Sequence, residues 1–419
     1  MAELIPLEEA RSIVLEHTGR LPVETVGLVE ASGRVAASDL VADIDSAPFS
    51  AAGMDGFGLR AEQIEGASEE TPVVLSVVDE IAAGDYHEGG LAEGECVRIM
   101  TGAPVPGCVD SIVKYEIVGV VEGDGKTGSK VSFSSPVKTG ANVRKPGEEA
   151  EAGEVVVHAG EVINSAGVGF LASCGVTEVP VYRRPTVAIM ATGSELVDAH
   201  EVPGKGKIRN SNSPALAACV AEAGGLPTVL PIVKDTYEGL AKAVEGAVED
   251  YDCVLTTGGA ANGDYDFIKR VVTDLGEAYV TSINMRPGKA ETYGHVGGVP
   301  VFGLPGNPAA AYMGFQMLVR PALRKMQGYT HFERARITAT LACDITAKKD
   351  ARMTLMRAIV EKGPDGSYVV RPLAKQSSQL FGPLQRSNAL IVVERGDVGH
   401  AQGEEIECIL LDVPEDSAL

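Results

Sequence analysis

Three stretches of this chain carry an apolar run into a glycine turn and then into a helical pattern. They are TVAIMATGSELV at 186–197, CVLTTGGAANGDYDFI at 253–268 and PVFGLPGNPAAAYMGF at 300–315. Free N–H groups at a helix start, together with the positive end of the helix dipole, suit a phosphate or an oxyanion. Carboxylates occupy the same turns, at Glu195, Asp264 and Asp266. Donors for an anion beside acids for a cation point to a metal–nucleotide or a related phosphorylated ligand.

For these groups to meet, the three runs must be strands whose carboxyl ends share one edge of an open parallel sheet. The pattern from 186 to 328 alternates strands with helices, which predicts such a sheet with crossover helices. One crossover, 236–249, sets Leu240, Val244 and Val248 on a single side. Residues 7–17 have helical periodicity through Leu7, Ala10, Ile13 and Val14. From about 70 to 160 the chain turns to short β runs, with a hairpin turn expected at Gly123-Asp124-Gly125. After 335 five further β runs predict a small barrel or sandwich. The expected fold class is a multidomain α/β plus β chain. A first segment, 1–45, holds a helix and a linking stretch and packs with a return segment, 146–182. Between them, 46–145 is a β-rich inserted domain; 183–330 is the α/β domain and 331–419 a C-terminal β-barrel.

Bulk properties narrow the function. The chain has 419 residues, enough for two to four domains, and 45% hydrophobic content. Thirty-six Lys and Arg against 58 Asp and Glu give a net charge of −22, which argues against nucleic acid and anionic membranes as partners. No apolar stretch approaches the roughly 18 residues of a spanning helix. The N-terminus lacks the basic-then-apolar order of a signal peptide. Seven scattered cysteines, none in C-x-x-C spacing, read as buried free thiols in a reducing compartment, so a cytoplasmic location is expected. The chain has no P-loop, no G-x-G-x-x-G opening a helix, no H-E-x-x-H and no G-x-S-x-G.

Seven motifs in order carry a family resemblance: GMDGFG (53–58), VRIMTGAPVPGC (97–108), RKPGEE (144–149), ATGSEL (191–196), TTGGAANGDYDF (256–267), MRPGKAE (285–291) and FGLPGNPAA (302–310). Together they resemble molybdopterin molybdenumtransferase, which is similar to the E domain of gephyrin. The resemblance runs from roughly residue 5 to 412. It implies a central α/β domain of molybdopterin-binding type in a four-domain dimer. It also implies a reaction in which adenylated molybdopterin and molybdate, with Mg2+ or another divalent cation, give molybdenum cofactor and AMP. The implied assembly is a homodimer whose site is shared between subunits, with the adenylyltransferase and apo-molybdoenzymes as protein partners. Carboxylates holding a divalent cation would stabilise charge on the departing AMP.

Carried over residue by residue, the resemblance gives catalytic roles to Asp55, Glu149, Glu195, Asp235 and Asp266, the last three as metal ligands. Thr101, Thr192, Gly193, Gly258, Gly259, Arg286, Lys289, Pro305, Gly306, Asn307, Pro308, Arg352 and Ser378 become substrate-binding positions. Each residue also has a structural reading. Asp55-Gly56 is a common turn dipeptide, and Thr101 an ordinary strand-end hydroxyl. Glu195 suits a helix start electrostatically, and Asp235 with Glu238 spells a capping box. Asp264 competes with Asp266, one as a cap and the other as a ligand. Gly258 and Gly259 permit a strained turn. Pro305 and Pro308 can serve only to fix the turn and start the helix. Arg352 and Ser378 read equally well as solvated surface.

Departures from the family pattern concentrate on oxyanion contacts. SAAGMDGFG replaces DNSAMDGYA, Glu149 stands for an aspartate, and Ala261 for a serine. Ser282 stands where a lysine is expected, Arg286 replaces lysine, Ala290 replaces proline, and Ala310 a serine. Three readings therefore stand at this point: a molybdenumtransferase with a diverged or tungstate-tuned oxyanion site, a molybdopterin adenylyltransferase, and a protein that binds and delivers the pterin.

Overall fold

Near-continuous apolar runs fold as strands covered on both faces, and three of them lie side by side here. In the computed structural model, which describes residues 4–258, 267–346 and 352–411, Thr186–Ala191, Cys253–Thr257 and Val299–Leu304 pair in parallel. Leu226–Val229 adds a fourth parallel strand. The last two, Thr292–Val296 and Gly276–Val280, are antiparallel and complete a six-stranded sheet. That antiparallel pair departs from a wholly parallel sheet. Its cause is Gly297-Gly298, both at positive φ, a two-residue turn that folds Thr292–Val296 back onto Val299–Leu304.

Strand alternation divides the sheet's two faces. Val187 and Ile189 point into one core with Leu216 and Val220 of the helix Asn212–Glu222 and with Leu7, Ala10 and Val14 of the helix Leu7–Glu16. Ala188 and Met190 point into the opposite core with Leu240 and Val244 of Tyr237–Asp250 and with Ile268 and Val271 of Phe267–Leu275. Each buried Val, Leu, Ile or Met side chain among these contributes about 1.5–3 kcal/mol relative to exposure. The sheet is therefore held rigid from both sides, and its carboxyl ends are fixed points.

The five late β runs close on themselves. Arg336–Leu341 pairs with Tyr368–Pro372 and Glu405–Leu410, and Met353–Lys362 pairs with Tyr368–Pro372 and Ala389–Val393. Ala389–Val393 meets Glu405–Leu410, so the ring is complete and none of the five strands is left at an edge. Met285–Arg286 joins the start of Met353–Lys362 in parallel, which ties the RPGK loop of the α/β part to the barrel.

Residues 1–24 and 182–419 make one unit of the chain, and residues 25–181 make another. The second unit holds a six-stranded sheet ordered Ser111–Lys114, Gly56–Leu59, Glu95–Ile99, Val73–Ile81, Lys130–Phe133, Gly119–Glu122. The expected Gly-Asp-Gly turn lies in the connection between Gly119–Glu122 and Lys130–Phe133, with Gly123 and Gly125 at positive φ. All seven cysteines are free. Among the described residues no helix is long and apolar enough to cross a membrane.

Candidate active site

The ends of the parallel strands are sewn together by short hydrogen bonds. Thr192 N–H donates to the Thr257 carbonyl at 2.9 Å. Asn212, opening its helix, donates through Nδ2 to Thr257 Oγ1 at 2.8 Å and to the Gly306 carbonyl at 2.9 Å. Thr257 Oγ1 in turn donates to the Pro305 carbonyl at 3.1 Å. Two glycines lie in these close quarters, and at Gly258 the backbone leaves room for nothing larger. At Gly193 a Cβ would lie 2.6 Å from the Glu195 carboxylate, which folds back over the turn. At Gly258, with φ +90, a Cβ would lie 2.2 Å from the Thr192 carbonyl.

The resulting rim encloses a cavity of about 80 Å³ lined by Thr192, Glu195, Asn212, Gly258, Gly306 and Pro308. Two buried oxygens there, Thr192 Oγ1 and Asn212 Oδ1, have no hydrogen-bond partner. Buried polar atoms left unpaired in a polar recess mark places where a ligand's groups complete the network. The helix start supplies more: Ser211 makes no side-chain cap, so its first turn is not closed by a hydroxyl.

Asp235 bears on this cavity through its charge. Burial raises its pKa above the ordinary carboxylate value, and the nearby Glu195 charge raises it further. The structure also answers whether Asp235 is a cap: Thr236 caps the helix, its Oγ1 accepting from Gly239 N–H at 3.1 Å. Asp235 is thereby spared that task. Gly259, Asp264 and Asp266 lie outside the described residues. Another group with metal-ligating atoms, Asp198, His200 and Glu201, is wholly exposed.

A second cavity, of about 920 Å³, opens on the other side of the same turn. Pro305 and Asn307 line it, whereas Gly306 and Pro308 line the smaller one. Arg286, Lys289 and Arg352 bring three cations to this larger space, and Ser378 and Asn307 add polar side chains. The RPGK loop is held at its base by Ile283 N–H donating to the Lys289 carbonyl at 2.9 Å. The Ser378 carbonyl accepts from Ala309 N–H at 2.9 Å, which pins the barrel loop to the first turn of the helix Pro308–Gly314. Ala310, standing where the family pattern has serine, also lines this cavity. Behind Gly288 the Glu291 side chain is 1% exposed, and neither of its oxygens has a partner. Burial pushes its pKa well above the ordinary carboxylate value.

In the unit of residues 25–181, Asp55 is joined to Thr101. Its Oδ1 accepts from both Thr101 N–H and Thr101 Oγ1, each at 2.7 Å. Those two hydrogen bonds lower the Asp55 pKa, partly opposed by desolvation and aided by Arg98. Glu149 is exposed, accepts from Ser46 Oγ at 3.4 Å and donates its N–H to the Ser46 carbonyl at 3.2 Å.

The larger unit thus brings Thr192, Gly193, Glu195, Gly258, Gly306 and Pro308 to one recess, with Asp235 within electrostatic reach. Arg286, Lys289, Pro305, Asn307, Arg352 and Ser378 gather at the other. Asn212, Thr257, Glu291 and Gln376 were not anticipated. A polar N-S-N opening a helix and a Thr-Thr pair ending a strand were the available signals for the first two.

Comparison with known proteins follows the same layout. Residues 5–175 match the MoeA N-terminal region (domain I and II), 188–325 a probable molybdopterin binding domain, and 338–411 the MoeA C-terminal region (domain IV). The chain is 33% identical over 409 residues to a molybdopterin molybdenumtransferase of Staphylococcus aureus (strain COL), covering 97% of this chain and 96% of that one. It is also 33% identical over 408 residues to the Bacillus subtilis (strain 168) protein of the same name, covering 97% and 94%. A solved molybdopterin biosynthesis MoeA protein from Pyrococcus horikoshii OT3 superimposes with a TM-score of 0.80 at 28% identity, over 98% of this chain and 100% of that chain. Strand ends, closed barrel and near full-length identity agree, and the chain belongs to the molybdopterin molybdenumtransferase family.

Proposed function

We propose that this protein inserts molybdenum from molybdate into adenylated molybdopterin, releasing AMP and molybdenum cofactor. The observation that carries this reading is the 305–308 turn, which puts an acid-bearing recess and a cation-lined cavity back to back. A substrate with a pyrophosphate and a metal-accepting dithiolene needs both environments. In this reading Thr192, Gly193, Asn212 and Gly258 hold the pyrophosphate side, while Arg286, Lys289, Arg352 and Ser378 take the tetrahedral oxyanion. Arginine suits the latter because its planar fork can give two parallel hydrogen bonds to one anion.

The acid side fits a divalent cation. Burial and the neighbouring Glu195 charge raise the cost of ionising Asp235, and two unpaired buried oxygens lie in the recess that Glu195 lines. Glu195 and Asp235 would hold Mg2+, with Asp266 assigned beside them by its motif. When bound, such an ion supplies charge stabilisation to phosphoryl oxygens. Asp55, kept ionised by Thr101, and Glu149 are assigned to the site of a second subunit in a cytoplasmic homodimer. Nucleotide transfer onto molybdopterin and delivery without turnover are not favoured, since the relatives matched over nearly the whole chain bear the transferase name. The test is AMP release from adenylated molybdopterin, with molybdate, with tungstate and with neither, with and without Mg2+. Release that needs both oxyanion and Mg2+ is expected; a folded protein releasing none under any condition overturns the reading.

A further inference from the structure

Arg357, on the barrel strand Met353–Lys362, is 1% exposed, and no carboxylate pairs with it among the described residues. A buried guanidinium without a counter-charge is costly, and such groups persist where their hydrogen bonds are fully used. Here they are spent on one loop. Nη1 donates to the Ser377 carbonyl at 3.1 Å, Nη2 to the Lys375 carbonyl at 3.4 Å and Nε to Gln376 Oε1 at 3.2 Å. Gln376 closes the arrangement, donating through Nε2 to the carbonyls of Arg357 and Leu373, both at 2.8 Å.

The consequence follows from peptide geometry. A planar trans peptide puts N–H opposite C=O, so turning the Lys375 and Ser377 carbonyls onto Arg357 turns the N–H groups of Gln376 and Ser378 away from it. Gln376 and Ser378 both line the large cavity, and neither N–H has a partner among the described residues. Free N–H groups of alternate residues turned the same way on one fixed loop offer an anion convergent backbone donors. The positive charge behind the loop polarises both peptides in the same sense.

We propose that Arg357 is a positioning residue for the oxyanion: it fixes the 375–378 loop so that the backbone N–H groups of Gln376 and Ser378 join Arg286, Lys289 and Arg352 as donors. This rests on the molybdenumtransferase reading, and it assigns to the barrel strand a part in substrate capture rather than in stability alone. The test is Arg357→Met beside Arg357→Lys, read by KM for molybdate, KM for adenylated molybdopterin, kcat and thermal midpoint. Arg357→Met should raise the molybdate KM at least tenfold with the pterin KM within twofold, and Arg357→Lys should recover part of the loss. An unchanged molybdate KM, or both KM values rising together while kcat falls, overturns the inference. Should Arg357→Met not fold, Gln376→Met releases the guanidinium while leaving it in place; a three- to tenfold rise in molybdate KM supports the inference and no rise removes it. A wild-type protein without AMP release defeats the underlying reading instead, so the two failures are distinguishable.

Discussion

The two cavities either side of the 305–308 turn are built by different means. The small one is made of strand ends, two glycines and a helix start, all within the α/β part and tied by hydrogen bonds of 2.8–3.1 Å. The large one is lined by the RPGK loop, the 305–308 turn and three segments of the C-terminal part, at 346, 352–356 and 376–378, with cationic side chains prominent among them. Backbone construction fixes the first against drift, whereas the second depends on which side chains each segment happens to carry. Three of the departures expected from the resemblance, Arg286, Ala290 and Ala310, line the second. A site made of backbone tolerates little change, and a site made of side chains can be retuned one contact at a time.

The sharpest way to break this contrast is at Glu195. Glu195→Gln should lower kcat for AMP release by about 100- to 1000-fold, the usual loss when one charge-stabilising group is removed. The molybdate KM should stay within twofold in a full kinetic analysis. A rise in molybdate KM instead would merge the two cavities into one functional unit. On the other side, Arg286→Ala removes a charged hydrogen-bond donor worth about 1.5–3 kcal/mol. The molybdate KM should rise by about 10- to 100-fold at that magnitude, with saturating kcat less affected.

A gain is also expected. Ala310→Ser restores a hydroxyl to the large cavity, and one neutral hydrogen bond at about 0.5–1.5 kcal/mol should lower the oxyanion KM by about two- to tenfold. Competition between molybdate and tungstate in the same assay shows whether that contact discriminates. The smallest effect concerns Glu291, a buried acid behind the basic loop. Its folded pKa is raised, so its stability contribution is present below about 4.5 and is lost as pH rises through the folded value. Glu291→Gln removes that loss. The variant should match the wild type near pH 4.5 and exceed it in thermal midpoint at pH 8. Calorimetric scans across pH check the sign; a variant less stable than wild type at pH 8 contradicts it.

Sequence legibility follows the same division. The strand–glycine–helix segments were readable because apolar runs and turn glycines are local signals, and so was each of the five barrel strands. The antiparallel edge of the α/β sheet was less so, because Gly297-Gly298 is a weak mark among 49 glycines. Asp235 and Thr236 are neighbours that can both cap a helix, and only the geometry assigns the cap to Thr236. Asn212 reaches partners 45 and 94 residues away, so nothing near it announces its work. Arg357 was invisible for a related reason: an arginine within a barrel strand reads as solvent-facing until its side chain is seen turned inward.

The turn from Pro305 to Pro308 alternates its residues between two recesses, odd positions one way and even positions the other. A ligand bridging the two recesses would meet the walls of both along this stretch of four residues. Substitutions within that stretch should therefore perturb metal dependence and oxyanion affinity together, unlike changes on either outer wall.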